Sequence, residues 1–255
     1  MSPMPRRLRA PSAVLALGAL LPAGAGAADP ADMPAPRVVE LFTSHGCSSC
    51  PPADELFAEL IASDPDLVAL EYHVDYWDAL VHGADGSFAD PFSSPAHTER
   101  QRRYAEAGLA GRAGVYTPQL VVDGRGAMVG SDARRLRRAL DAPAPAASVD
   151  VGIEPDGDGL SVSIGSAAIP DGAGPVEVTL VRYHHERRTA ITGGENRHRN
   201  AVNHRVVHAL EPLGRAPSGG ARTVGIERPA PGDGCAVLVQ DRSLARLRGA
   251  ALCPD

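Results

Sequence analysis

Two cysteines, Cys47 and Cys50, are separated by two serines and lie between an apolar run at residues 38–42 and a helical pattern. Thiols at this spacing can close into a small disulfide and reopen. We predict that Cys47 attacks a partner and that Cys50 resolves the mixed disulfide. A static structural disulfide and half of a zinc site are the alternatives. Closing so small a loop gains little stability, however, and no second Cys-x-x-Cys follows.

The residues after this pair limit the usual explanation for a reactive thiol. Pro51 and Pro52 both lack an N–H group, and proline is tolerated only in the first turn of a helix. We therefore expect the helix to begin at Pro51 or Pro52. The N–H groups of the loop residues 48–50 then matter more for a Cys47 thiolate than the full helix dipole does.

A carboxylate precedes the pair by seven positions. Glu40 falls in a run that predicts a buried strand, where desolvation would raise its pKa and let it carry the proton of the resolving thiol. The alternative is a glutamate at the strand end that faces solvent.

Two further polar residues, His73 and Asp75, share one face near the end of a second predicted strand. Active sites of parallel sheets gather at this edge, so the pair is a candidate proton relay or substrate contact. A hydrogen-bonded pair that orders the following loop is the alternative. We also count His45, two residues before Cys47, among the residues that line the site.

The elements that must position these groups alternate along the first half of the chain. Apolar alternation predicts strands at residues 38–43 and 67–77, and apolar spacing of three and four predicts a helix after Cys50. A capped helix from residue 94, a hairpin at 119–129 and a last helix follow. Short right-handed connections make the first two strands parallel neighbours. This order is the thioredoxin arrangement.

Thr117 and Pro118 stand at the entry to the hairpin. A proline that begins a strand costs a ladder hydrogen bond and therefore needs a reason. In the thioredoxin arrangement that reason is a cis proline, which packs against the disulfide and leaves the neighbouring backbone free to pair with a substrate chain. We predict this role for Pro118, with Thr117 beside it.

The second half of the chain, residues 148–255, shows short alternating segments separated by turns, which predict a small antiparallel β-sandwich. Cys235 and Cys253 face each other if residues 241–244 make a hairpin turn, so we predict a structural disulfide between them. Free thiols, or a pair that exchanges electrons with the first two cysteines, are the alternatives.

The amino-acid composition bears on which classes of molecule the protein binds. Net charge is −6 and aromatic content is 4%, which give no support to nucleic acid or an anionic membrane as a partner. Without lysine the chain has no Schiff-base chemistry and no P-loop. The histidines of the second half, among them His204 and His208, do not have a convincing metal spacing in a strand, so neither metal nor cofactor is predicted.

The amino terminus has the basic start, apolar stretch and small-residue site of a signal peptide, residues 1–28, cleaved near Ala27 or Ala28. It is too short for a membrane span. We expect a periplasmic or secreted protein in which disulfides are allowed. The remainder divides into a thioredoxin-like domain at 36–141, an Ala/Pro linker at 142–147 and an all-β domain at 148–255.

The motifs at residues 38–54, 73–78, 90–92 and 116–119, taken together, closely resemble a family of exported bacterial proteins labelled domain of unknown function twelve-twenty-three. That resemblance implies a thioredoxin-like fold and thiol chemistry, without a substrate. A weaker similarity is to periplasmic dithiol oxidases and isomerases, in which a buried Glu precedes Cys-x-x-Cys and Thr precedes the cis proline.

These observations predict an exported thiol-disulfide oxidoreductase whose partners are exported protein thiols or a redox partner protein. One rival is a copper chaperone that binds Cu(I) through the two thiolates and His45 or His73. Another is a noncatalytic binding module that uses the fold as a scaffold.

Overall fold

We describe the protein from a computed structural model, which places residue 1 and residues 36–81, 89–111, 114–144, 149–166, 176–241 and 246–254. The predicted signal peptide lies outside these residues, as do parts of the predicted linker and of the turn before Cys253. Within the described residues, no helix combines the length and apolar character that a membrane crossing requires.

The prediction of an α/β thioredoxin-like domain followed by a small antiparallel β-sandwich is wrong. Of the residues that the structure describes, 46% lie in strands and 22% in helices, and strands from both halves of the chain join one mixed sheet of nine strands. The described residues contain twelve strands. They are β1 Val38–Thr43, β2 Val68–Val74, β3 Ser93–Ser94, β4 Gln119–Val122, β5 Gly126–Val129, β6 Val151–Asp156, β7 Gly159–Ile164, β8 Val176–Ala190, β9 Asn200–Arg215, β10 Arg222–Glu227, β11 Asp233–Asp241 and β12 Leu247–Leu252.

The large sheet has the order β12-β11-β8-β9-β2-β1-β4-β5, with the short β3 paired to β2. The predicted parallel pairing of β1 with β2 is confirmed, from Val38 opposite Val68 to Thr43 opposite His73. The predicted hairpin is confirmed as β4 and β5. β1 and β2 are buried along their whole length, which explains their nearly continuous apolar sequences.

Four α-helices accompany the described strands of the first half: α1 Pro51–Ser63, α2 Tyr76–Leu80, α3 Pro95–Tyr104 and α4 Ala133–Asp141. Ser94 caps α3 and Asp132 caps α4 through their side chains. The second strand ends earlier than predicted, at Val74, because Asp75 starts the short helix α2. A π-helical turn, Ala105–Leu109, continues α3.

The junction between β2 and β9 explains why the two halves share a sheet. A single parallel residue pair, Glu71 opposite Val206, links the two strands. Side chains complete the link: Arg205 donates to the carbonyl of Leu67, and to that of Pro65 at 2.6 Å. The joint is therefore built largely from polar side chains, and a strand pattern in the sequence does not reveal it.

One apolar core runs through both halves. Residues of β1 and β2 such as Phe42 and Tyr72, whose rings stack at 5.2 Å, share this core with Val181 of β8 and Leu238 of β11. The sheet curls so that β12 contacts β2. On the opposite face, α1 and α4 cover the strands of the first half around Leu41.

The remaining strands, β10, β7 and β6, form a separate three-stranded antiparallel sheet. Its Leu160, Val162 and Ile164 pack against residues of β8 and β11 in a second core. Cys235 and Cys253 are joined by a disulfide next to this core, at opposite positions of the β11–β12 hairpin. The Cys253 N–H donates to the Cys235 carbonyl at 2.8 Å.

Candidate functional site

Cys47 and Cys50 form a closed disulfide between the end of β1 and the start of α1, with their Cα atoms 5.4 Å apart. Both residues are fully buried, whereas Ser48 and Ser49 between them are exposed. The Ser49 hydroxyl lies 3.4 Å from the Cys47 sulfur. Solvent therefore reaches the loop at Ser48 and Ser49, and Ser49 is in contact with the Cys47 sulfur.

α1 begins at Pro51, as predicted, with Cys50 as its N-cap and no side-chain cap hydrogen bond. The Cys50 carbonyl accepts from the N–H groups of Ala53 at 2.8 Å and Asp54 at 3.1 Å. Because Pro51 and Pro52 supply no N–H, the first helical turn offers fewer donors to a thiolate than an ordinary helix start. Apart from Cys50, the described side-chain partner of the Cys47 sulfur is the Ser49 hydroxyl.

Pro118 lies close to the first turn of α1. The Thr117–Pro118 peptide bond is cis, and the Thr117 hydroxyl accepts from the Trp77 indole N–H at 2.7 Å. A Cβ added at Gly130 would stand 2.8 Å from the Pro118 Cβ and 2.9 Å from the Cβ of Ala53, three residues after Cys50. Only glycine therefore lets β5, the proline and α1 approach this closely.

A closed ring of buried polar side chains, which we call the polar ring, lies beside the disulfide loop. Its members are each at most 3% exposed, and they are His45, Glu71, His73, Asp90 and Asn203. His73 Nδ1 meets Asp90 Oδ2 at 2.8 Å and His73 Nε2 meets Glu71 Oε1 at 3.1 Å. Asn203 closes the ring, since its amide donates to Glu71 at 2.6 Å and its carbonyl oxygen faces His45 Nε2 at 2.9 Å.

The polar ring also holds the backbone of the loop. Asp90 Oδ2 accepts from the His45 N–H at 2.7 Å, two residues before Cys47. A carboxylate can only accept, so the Asn203 amide must point its NH₂ at Glu71 and its oxygen at His45. His45 Nε2 therefore carries the hydrogen of that contact. Both nitrogens of His73 are likewise engaged, which leaves these imidazoles in positioning roles.

Charges within the polar ring shift its pKa values in opposite directions. Burial acts to lower the pKa of His73, but Asp90 and Glu71 outweigh burial and raise it well above its usual value. Burial acts to raise the pKa of Asp90, yet charged His73 brings it well below its usual range. Burial, followed by the charge on His73, lowers the pKa of His45. His73 is thus the charged imidazole and His45 the neutral one.

These shifts predict a stability that depends on pH. The raised pKa of His73 contributes stability that is complete below the unfolded pKa of about 6.5 and is lost as pH rises through the folded value. The lowered pKa of Asp90 contributes stability above about 3.9, which is lost as pH falls. We expect the free energy of unfolding in urea to decrease from pH 6.5 upward. A flat profile between pH 6.5 and 9.5, or an equally steep one in His73→Asn, would contradict this assignment.

Asp54 is a carboxyl that sequence reasoning missed. It lies in the first turn of α1, four residues after Cys50 and so on the same helix face, and accepts from the Thr43 hydroxyl at 2.7 Å. Burial, followed by the charge on Glu71, raises its pKa well above its usual value. It lines a cavity of about 300 Å³ together with Ser44, His45, Pro51 and Asn196.

Asn196, on the segment between β8 and β9, covers the disulfide loop. Its amide donates to the carbonyl of His45 at 3.0 Å and to that of Cys47 at 2.8 Å. Gly194 lies against Gly46, since a Cβ added there would be 3.5 Å from the Gly46 Cα. A segment about 150 residues away in sequence therefore encloses the two cysteines.

Glu40 is fully buried, on the face of β1 that α3 covers, and both of its oxygens are engaged. Oε1 pairs with Arg100 Nε at 2.6 Å, and Oε2 accepts from the Tyr104 hydroxyl. Arg100 also donates to Gln240 at 3.2 Å. The role of Glu40 as proton carrier stays a prediction, and the observed partners give it a structural role in α3 docking.

Asp75 does not join the polar ring. Its carboxylate accepts from the Thr98 hydroxyl at 2.5 Å, and its backbone starts α2. Of the three predicted lining residues, the structure thus brings His45 and His73 together and places Asp75 against α3. The residues that were missed are Asp54, Glu71, Asp90, Asn196 and Asn203. Asp54 and Asp90 lay in quoted motifs but were given no role, and the two asparagines come from the second half of the chain.

Comparison with known proteins identifies a family whose description states no activity. A family model described as a protein of unknown function (DUF1223) matches residues 38–240. No curated protein matches the chain. The crystal structure of protein AGR_C_4864 from Agrobacterium tumefaciens is 32% identical, with a TM-score of 0.67 and coverage of 88% of this chain and 96% of that one. HBP35 of Porphyromonas gingivalis, 13% identical with a TM-score of 0.51 over 86% and 74% of the two chains, shows likeness of fold alone.

Proposed function

Because the chain belongs to the DUF1223 family, whose description carries no activity, its function must come from the site, and we propose a thiol-disulfide oxidoreductase that acts on protein thiols. The single observation that carries the proposal is the Cys47–Cys50 disulfide, placed between a buried parallel strand and a helix start. A purely structural role for a disulfide that closes so short a loop would add little stability.

The proposed exchange proceeds in two steps. With both cysteines reduced, the Cys47 thiolate attacks one sulfur of a substrate disulfide, the substrate S–S bond breaks, and the released substrate thiolate takes a proton. Cys50 then loses its proton and attacks the Cys47 sulfur, which releases the second substrate thiol and forms the Cys47–Cys50 disulfide. Two electrons and two protons pass to the substrate. Oxidation of a substrate dithiol is the same sequence in reverse.

The neighbouring residues support distinct parts of this exchange. Asp54, with its raised pKa and its place one turn after Cys50, is our candidate for taking the Cys50 proton. The Ser49 hydroxyl stabilises the Cys47 thiolate. Thr117 and Pro118 dock the substrate backbone, and the cavity beside His45 and Asp54 receives a substrate side chain. The polar ring positions the loop. We further propose that the protein is exported and works in an oxidising compartment.

A redox titration tests this proposal directly. Full-chain protein is equilibrated with glutathione buffers of graded potential, and free thiols are then alkylated and counted by mass. We expect Cys47 and Cys50 to interconvert reversibly as a two-electron couple, while Cys235 and Cys253 stay oxidised throughout. The proposal fails if Cys47 and Cys50 never reduce under these conditions, or if reduction cannot be reversed.

The cover formed by Asn196 leads to a prediction about access. Asn196→Ala removes two hydrogen bonds and leaves the carbonyls of His45 and Cys47 without these partners. Such a loss weakens the closed arrangement by about 1–3 kcal/mol, so we expect dithiothreitol to reduce the disulfide about fivefold faster or more. The measurement is the rate of appearance of alkylatable thiol in native buffer. Asn200→Ala, an exposed asparagine nearby, is the matched control and should react at the wild-type rate. Equal rates for the wild type and Asn196→Ala would refute the covering role.

A further inference from the structure

A second group of titratable side chains stands on the other half of the large sheet, on three adjacent strands. His184 of β8 lies directly opposite Asp233 of β11, and His208 comes from β9 on the other side of β8. His184 Nδ1 is 2.6 Å from Asp233 Oδ1, and His208 Nε2 is 3.8 Å from Asp233 Oδ2. The two imidazole rings stack with centroids 4.3 Å apart.

Three ligand atoms, one from each of these residues, all lie within 4.8 Å of one another. Two ligands bound to one zinc ion by bonds of about 2.0–2.1 Å are separated by about 3.3 Å in a tetrahedral site. The observed spacings bracket that value, but a ring nitrogen binds an ion in the plane of its ring, so the two stacked rings must rotate out of their stack before all three residues can bind one ion. The backbone needs no change, because paired strands of a sheet hold the Cα atoms in place.

The hydrogen bonds of this group conflict with one another. His184 Nδ1 faces the Asp233 carboxylate at 2.6 Å and the Arg187 guanidinium at 2.5 Å. A ring nitrogen carries either a hydrogen or a lone pair, so it cannot donate to the carboxylate and accept from the guanidinium at once. A metal cation that binds the lone pair of this imidazole and the carboxylate together must therefore displace the Arg187 guanidinium from His184.

Solvent and dissolved ions can reach this group of side chains. The side chain of His208 is 34% exposed and that of Asp233 is 17% exposed, so an ion can enter from solvent and retain a water ligand. The Arg187 guanidinium lies 3.4 Å from Asp233, and its positive charge opposes an ion here.

We propose that His184, His208 and Asp233 form a binding site for a divalent transition-metal cation, with two imidazole ligands, one carboxylate and an open position for water. Imidazole and carboxylate together suit Zn²⁺, and three protein ligands with an open fourth position are the arrangement of zinc sites that bind a further molecule. The site uses none of the residues assigned to the disulfide exchange. The sequence predicted no metal site among the histidines of the second half, whereas the fold brings His208 next to His184.

The experiment is a calorimetric titration of the full chain, with its disulfides oxidised, with ZnCl₂ at pH 7.5. We expect one zinc ion per chain, and at least about tenfold weaker binding in His208→Ala and in Asp233→Asn, since each removes a ligand. Arg187→Ala should bind zinc more tightly, because the competing cation is gone. His185→Ala, an exposed histidine next to His184, is the matched control with unchanged affinity. Thermal unfolding without metal checks that each variant is folded.

Three outcomes would overturn the proposal. These are no zinc binding by the wild type, equal affinity in folded His208→Ala and Asp233→Asn, and weaker binding in Arg187→Ala. The second outcome would move the zinc to another group of ligands, the buried polar ring being the obvious alternative. Because the reduced Cys47 and Cys50 are not available in oxidised protein, the result is separate from that of the redox titration.

Discussion

Cys50→Ala is expected to accumulate as a mixed disulfide with substrate protein, whereas Cys47→Ala is not. In the first variant the Cys47 thiolate still attacks, but no second thiol is present to release the product. In the second variant the remaining thiol belongs to the N-cap of α1, behind the exposed Ser48–Ser49 turn. Both variants should lose catalysed exchange by a factor on the order of 10³ or more, as enzymes without an essential nucleophile do.

The measurement is non-reducing electrophoresis of each variant after incubation with a disulfide-containing protein, with the adduct sulfur located by mass spectrometry. A double variant of Cys235 and Cys253 to alanine is the control, and it should exchange at the wild-type rate once its folding has been checked. Adducts on Cys50 in the Cys47→Ala variant, at the level seen for Cys50→Ala, would reverse the assignment of the two thiols. Adducts in neither variant would count against exchange with proteins.

The largest expected effect on stability comes from the buried pair of Glu40 and Arg100. In Arg100→Met the Glu40 carboxylate stays buried without its cation, and we expect the protein to lose about 3–5 kcal/mol of unfolding free energy. Replacing both residues, in Glu40→Met with Arg100→Met, removes the isolated charge. The double variant should recover most of that loss, since apolar replacement of a buried pair is often close to neutral.

Urea unfolding followed by circular dichroism measures both variants. Arg103→Met is the control on the same helix, because Arg103 is partly exposed and its contact with Glu177 is 3.5 Å long. It should cost less than about 1 kcal/mol, as a surface ion pair does. If the double variant is as unstable as Arg100→Met, the loss reflects packing of the arginine side chain rather than an unpaired carboxylate.

Local patterns in the sequence predicted the elements around Cys47 well. Periodicity located β1, α1 and β4, and the two prolines located the start of α1 at Pro51. These features depend on neighbours in sequence, where turn chemistry and apolar spacing operate. The fold class was nevertheless wrong, because β2 meets β9 through one residue pair and through the side chains of Arg205 and Asn203. No periodicity encodes such contacts.

Some residues of the candidate site were likewise predictable from the sequence, and others were not. The cysteines, His45 and His73 could be named from their types and positions, because thiols and imidazoles after a strand are informative on their own. Asn196 and Asn203 could not, because an asparagine in a loop or strand gives no sign of a partner about 150 residues away. The sequence predicted that Glu40 is buried. It did not indicate the ion pair with Arg100, because the pattern of α3 predicts a helix and its cap but not which strand residue an arginine on it contacts.

The junction of β2 with β9 joins two parts of the chain that are synthesised at different times. Ribosomes release the amino-terminal half first, so β1, β2 and the cysteine loop emerge well before Asn196, Asn203 and Val206 exist. During that interval the β9 side of β2 is covered only at the end of the strand, where β3 pairs with His73 and Val74, and an open strand edge invites pairing with other chains. The cysteines meanwhile lack their cover. Until residues 196–206 follow, the β2 edge and the cysteine loop therefore both lack their partners, and one stretch of chain, the segment before β9 with the start of β9, supplies both.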